Sequence, residues 1–273
     1  MDFHPFILSL IAFIIATLTS QAGVSGAFLL MPVQISLLGI TSPVASATNL
    51  AYNIIAIPSG IKRFRKEKRF LAPLAISIIA GSIPGAFIGA FIRTDFLLNP
   101  KPFKLFVGLV LMCLGLRLIL MRKRKIHAVT EIQIKQMSFK KVTFSFAHED
   151  FSFSPIVIFL LVLFTGTIAG AYGIGGGALL APILISVFML PPHAIASSTL
   201  TGTFTTSIMG VCFYYLLDYP PDWKIAIFFG IGGMLGMYTG ARMQKYIPER
   251  IIKIILAFLI FIPAAKYILG YFR

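Results

Sequence analysis

The chain has 273 residues, 58% of them hydrophobic and 12% charged, with a mean hydropathy of +0.91. That excludes an ordinary soluble domain, in which about a quarter of the residues are charged, and points to a bilayer. The net charge of +15 does not imply nucleic acid, because the cations gather in short clusters at the ends of apolar runs, as positive-inside membrane proteins place them.

In chain order, apolar segments are expected at about 5–21, 25–39, 44–61, 71–92 and 103–121, then at 155–172, 176–190, 194–217, 224–241 and 251–271. No basic residue precedes the first of them, so Met1–His4 does not resemble the start of a cleaved signal. The second segment opens on Gly23-Val24-Ser25-Gly26, is short, and contains Pro32. The third carries Ser46, Thr48, Asn49 and Asn53 in its first half, then runs into the basic cluster Lys62–Arg69. Gly81, Gly85 and Gly89 recur every fourth residue in the fourth segment, a spacing that lets helices approach closely. The fifth holds Cys113, a small apolar packing residue like Cys212, and ends at Arg122–Lys125.

A polar stretch at 122–154 follows, expected to be cytoplasmic. Alternation in Val142-Thr143-Phe144-Ser145-Phe146 and Phe151-Ser152-Phe153-Ser154, around Ala147–Asp150, looks like a small β-hairpin. The alternatives are a surface linker of partial order and a docking site for a soluble partner.

The second half then repeats the first. Gly23, Gly26, Leu29, Leu30 and Pro32 recur as Gly173, Gly176, Leu179, Leu180 and Pro182; Ser46 and Thr48 recur as Ser197 and Thr199; Gly81, Gly85 and Gly89 recur as Gly232, Gly236 and Gly240. Repeats of this kind mark transporters whose site lies where the copies meet. Keeping most lysines and arginines on one face requires an odd number of crossings per half, so the halves insert in opposite orientations with both termini outside. Charge does not distinguish five crossings per half from three crossings plus a re-entrant hairpin. The expected fold is an all-α polytopic membrane protein of two inverted repeats, 1–121 and 155–273, with Gly-broken or re-entrant helices at the midplane.

The glycine clusters are the first candidate site. Non-helical backbone at membrane depth survives only where protein buries it or it lines a wet cavity. A half-helix starting after such a break points free N–H groups and a positive dipole end back at it, which suits an anion. Candidate substrate-binding residues are therefore Gly23, Ser25, Gly26, Gly173, Gly175, Gly176 and Gly177, joined by Asn49, Asn53, Ser198, Thr199 and Thr203 as oxyanion donors. The hydroxyls have a competing use, bonding the preceding turn of their own helix. All nine acids fall in loops or at segment ends, and no Ser/His/Asp, Cys/His or metal-ligand constellation exists, so no enzyme, cofactor or metal is expected. Lys266 and Arg117 lie close enough to segment ends to snorkel, and His193 sits in the turn after Pro191-Pro192.

The paired Gly-rich blocks followed by Leu-Leu-x-Pro, and the Ala-Ser-x-Thr stretches, resemble the sulfite exporter TauE/SafE family of membrane permeases. The copy Gly173–Pro182 is the closer match; the first departs at Ser25 and Ala27. The resemblance implies movement of sulfite, sulfonates or other small organic anions across the plasma membrane, often outward. Its partners would be a small anion and the bilayer, with a homodimer permitted by the small-residue stripes. An anion channel, or a non-transporting membrane subunit that docks a partner through 122–154, are the alternatives. An organic tail on the substrate would meet Phe28, Tyr52, Tyr172 or Phe204.

Overall fold

The computed structural model describes residues 5–20, 25–66, 70–120, 132–147, 149–243 and 249–272. They form ten helices and three strands: α1 (Pro5–Ser20), α2 (Ala27–Ser36), α3 (Pro43–Lys66), α4 (Ala72–Asp95), α5 (Pro100–Leu120), β1 (Gln133–Met137), β2 (Val142–Phe146), β3 (Glu149–Phe153), α6 (Pro155–Tyr172), α7 (Gly176–Ser186), α8 (Pro192–Leu216), α9 (Trp223–Met243) and α10 (Glu249–Phe272). Each expected apolar segment coincides with one helix. Proline opens α1, α3, α5, α6 and α8, because its fixed φ suits a first turn in which its missing N–H is not needed.

Among the described residues, three helices are long and apolar enough to cross a membrane: α4, α6 and Ile254–Phe272 of α10. The 10 residues of α2 and 11 of α7 reach only about 15–17 Å at 1.5 Å per residue. That is roughly half of a ~30 Å hydrocarbon core, so neither spans it alone.

The regular glycines explain how the bundle closes. A Cβ on Gly81 would stand 2.5 Å from the Phe159 carbonyl oxygen, and one on Gly85 2.7 Å from that of Leu163; Gly89 lies equally hard against Thr167. In the other half Gly232, Gly236 and Gly240 meet the carbonyls of Ser9, Phe13 and Thr17. So α4 lies backbone-to-backbone on α6, and α9 on α1. Each half contributes its glycine helix to the first helix of the other, and the halves interlock rather than forming two separate bodies. In the middle, α3 packs on α8 and α9, α8 also packs on α4, and α5 pairs with α10. Cys113 and Cys212 are exposed, not packed inside as their apolar surroundings suggested.

The described residues of the insertion form a three-stranded antiparallel sheet in the order β1-β2-β3. The expected hairpin is β2–β3, with Val142 opposite Phe153 and Phe146 opposite Glu149. Its alternation has a plain cause: Val142, Phe144, Phe146 and Phe153 are buried against Leu71, Leu74 and Ile78 of the α4 end, Ile158 and Val162 of α6, and Leu180 and Leu184 of α7. The three strands are therefore regular structure rather than a linker of partial order. Strand β1 was not foreseen, since all five of its residues are exposed and no inward face marks it in the sequence.

Candidate site at the helix breaks

The break between α6 and α7 is built from three glycines with distinct tasks. Gly173 closes α6 in the left-handed region (φ 88°), its N–H bonding Ala169 O at 2.8 Å while Ile174 N–H bonds the same carbonyl at 3.0 Å. Gly175 then turns the chain at φ 75°, ψ 146°, a region open essentially to glycine alone. Gly177 presses on Thr199 and Thr203 of α8, where a Cβ would collide. Its N–H donates to Thr203 Oγ1 at 3.1 Å, and that hydroxyl donates onward to Thr199 O at 2.9 Å.

Helix ends leave carbonyls without intrahelical partners, and here the other helices supply donors. Tyr214 OH donates to Gly170 O at 3.0 Å, Ser46 Oγ to Ala171 O at 2.9 Å and Asn53 Nδ2 to Ile174 O at 3.0 Å. One turn earlier on the same face of α3, Asn49 Nδ2 donates to Ala27 O at 2.7 Å, and its Oδ1 accepts from Gln34 Nε2 at 3.4 Å. Asn49 thus holds the start of α2 while Asn53 holds the α6–α7 break. Tyr172 completes the link, its hydroxyl donating to Phe28 O at 2.8 Å. The starts of the short helices α2 and α7 are tied together across α3.

Of the candidate residues, Gly26, Asn49, Asn53, Gly173, Gly175, Gly176, Gly177, Thr199 and Thr203 lie along this assembly. Gly26 caps α2 and faces Ile15, Thr19 and the Tyr52 hydroxyl; Gly176 faces Ser82 and Thr206. Gly23 falls outside the described residues. Ser198 is elsewhere: its hydroxyl donates to Leu71 O at 2.9 Å, at the sheet-covered end. Thr199, Thr201, Thr203, Thr205 and Thr206 all donate to the carbonyl four residues back, so the local use of hydroxyls prevails along α8.

Four buried polar atoms beside the breaks have no hydrogen-bond partner among the described residues: Ser25 Oγ, Tyr52 OH, Asn53 Oδ1 and Ser207 Oγ. The Tyr52 hydroxyl lies against the Gly26 backbone without reaching bonding geometry. Ser207 Oγ stands 3.2 Å from where a Gly175 Cβ would be. Ser207 escaped notice in the sequence because nothing local separates it from its hydroxyl neighbours.

Arg93 was missed as well. It is fully buried near the end of α4, donates to Leu97 O and Thr41 O, and lies over the Phe103 ring at 3.5 Å from the centroid. One partner, Leu97, lies four residues on, but the other, Thr41, lies 52 residues back in the chain, so no local pattern announces the pair. Arg93→Met removes both donors from two half-buried carbonyls and the stacking on Phe103, and should cost about 2 kcal/mol, read as a lower unfolding midpoint in detergent. Arg93→Lys should recover less than half of that, since an ammonium cannot fork to both carbonyls and stack on the ring.

The family model described as sulfite exporter TauE/SafE matches residues 8–267. The chain is 24% identical over 266 residues to the probable membrane transporter protein YunE of Bacillus subtilis, covering 92% of this chain and 93% of that one. It is 25% identical over 269 residues to the probable membrane transporter protein YjnA of the same organism, with 95% and 98% covered, and 26% identical over 223 residues to a probable membrane transporter protein of Xylella fastidiosa, with 81% and 77% covered. No solved structure matches. With the family model running almost end to end, the chain belongs to the sulfite exporter TauE/SafE family of membrane transporters.

Proposed function

We propose that the protein is a secondary transporter of small anions of the sulfite and sulfonate class, with its substrate site at the two helix breaks. The observation that carries this reading is the set of unpartnered buried atoms there: Ser25 Oγ, Tyr52 OH, Asn53 Oδ1 and Ser207 Oγ. Buried polar groups are as a rule bonded, so four orphans flanking one structure suit a ligand that satisfies them. Three are hydroxyls able to donate to oxyanion oxygens, and the fourth is a carbonyl that accepts from a protonated or hydroxylated anion. The positive dipole ends of α2 and α7 add to the preference for negative charge.

The exchanged glycine contacts, α4 on α6 and α9 on α1, support reading the halves as inverted copies that rock about this site in alternating access. Placing the basic clusters in the cytoplasm of a plasma-membrane protein follows the positive-inside rule. The family's description supports sulfite-like cargo and outward transport.

Purified protein in liposomes should show saturable flux of labelled sulfite, competed by sulfonates and accelerated by anion on the far side. Channel behaviour would instead give unitary currents without such exchange. Gly175→Ala puts a Cβ 2.6 Å from Thr203 Cγ2 at a φ of 75° and should lower flux at least tenfold at unchanged expression. Gly26→Leu and Gly176→Leu should do the same. Normal flux in all three removes the breaks from the site. No flux of any anion from folded protein removes the transport reading.

A further inference from the structure

At the end of the bundle away from the sheet, the last residues of α2, the first of α5 and the final turns of α10 enclose an open cavity of about 490 Å³. That lies within the ~300–1,000 Å³ typical of small-ligand clefts. Lys101 and Lys104 of α5 and Lys266 of α10 line it, and among the described residues no carboxylate does. Three ammonium groups around one concavity repel each other and concentrate positive potential there. A surface shaped only for stability would mix in acids.

The floor is neutral. Tyr267 is buried, its hydroxyl 2.6 Å from Ser36 Oγ and 3.3 Å from Pro32 O, so these groups bond to one another and leave the lysines uncompensated. The walls are fixed from behind by a fourth cation. Arg93 lies over Phe103, between the two α5 lysines in sequence, and bonds the loop that follows α2 and the loop that precedes α5. Pinned walls reduce the ordering cost of binding.

We propose that this cavity is an oxyanion-binding site, separate from the helix breaks, for a phosphate-, sulfate- or sulfonate-type group. Each lysine offers three donors and a full charge, and Tyr267 and Tyr271 provide aromatic wall for an attached organic portion. The group reaches the site either on a free small anion or on a phospholipid. Lys266 lies six residues before the end of the apolar stretch Ile254–Phe272, about 9 Å along the helix, at the depth where headgroups and snorkelling lysines meet. Binding here requires no transport.

The full chain, delipidated in neutral detergent at low ionic strength, is titrated with phosphatidylglycerol and, separately, with sodium sulfate. Bound lipid is counted by native mass spectrometry, and both titrations are followed by thermal unfolding. Wild type should bind at least one probe, with a rise of several degrees in unfolding midpoint. The variant K101Q/K104Q/K266Q should weaken binding at least tenfold, and K101R/K104R/K266R should keep it. Binding of phosphatidylglycerol alone identifies a lipid site; a response to sulfate identifies a free-anion site. Equal binding by wild type and the glutamine variant, or none by folded wild type, overturns the proposal. Each lysine is also replaced alone, so a triple glutamine variant that misfolds leaves the test standing: weaker binding by folded K101Q, K104Q or K266Q supports the site, and wild-type binding by all three removes it.

Discussion

Gly236→Ala should largely abolish recovery of folded protein, whereas Gly270→Ala, the same substitution 34 residues later in the chain, should leave it intact or slightly stabilised. At Gly236 the new methyl would collide with the Phe13 carbonyl oxygen and stand 2.9 Å from Ala16 Cβ. Two of the three nearest atoms are backbone of α1, so no rotamer change relieves the contact and the helices must separate. Overpacking typically costs about 1–3 kcal/mol even where side chains can adjust; between backbones, and along a whole stripe, the cost belongs at or above the top of that range. Gly270 has nothing within 4 Å of the same position, and replacing an exposed helical glycine by alanine gains about 0.5–1 kcal/mol. Gly85→Ala, in the matching place on α4, should behave like Gly236→Ala. The readout is the monodisperse fraction and unfolding midpoint in detergent. If Gly236→Ala and Gly270→Ala unfold at the same temperature, α9 does not pack on α1 through this stripe.

The stripe also shows what sequence can and cannot supply. Four-residue glycine spacing states that a helix presents a flat face, and the reading of these glycines as close-packing residues agrees with the contacts. It does not state which helix fills the face. That α4 rests on α6 and α9 on α1 is decided by shape between residues far apart in the chain, Gly81 with Phe159 and Gly232 with Ser9. The short lengths of α2 and α7 were legible in part, because Gly26 or Gly176 opens each and Pro32 or Pro182 follows. The hairpin β2–β3 was legible because its apolar side chains alternate, while β1 was not, because exposure on both faces leaves no period to read. Arg93 and Ser207 were invisible for a common reason: their significance lies in burial and in contacts with distant segments, Thr41 for Arg93 and Gly175 for Ser207, which no local pattern encodes.

Asn53→Ala should reduce anion flux at least tenfold, whereas Ser9→Ala should leave flux unchanged. Both substitutions delete one donor from a bond between a side chain and a carbonyl on another element: Asn53 to Ile174 O at 3.0 Å, and Ser9 to Phe228 O at 2.9 Å. Leaving a buried carbonyl unpaired costs about 1–3 kcal/mol, with Asn53 at the upper part because it is fully buried. What differs is what each bond holds. Ser9 joins α1 to α9, two helices already locked by glycine contacts, so its loss changes little beyond stability. Asn53 fixes Ile174, between the two positive-φ glycines of the break, and its Oδ1 is one of the atoms without a partner. Its removal frees the one segment whose shape sets the α7 start, and takes away a ligand acceptor together with the clamp. Asn49→Ala, one turn away, should act on the α2 start in the same manner, since Asn49 bonds Ala27 O and Gln34. Asn53→Asp separates the clamp from the site. A carboxylate there keeps the acceptor, loses the donor to Ile174 and adds a negative charge, so its flux should fall below that of Asn53→Ala if an anion passes this point. Equal flux in Asn53→Asp and Asn53→Ala would mean that Asn53 only shapes the break and never meets the substrate.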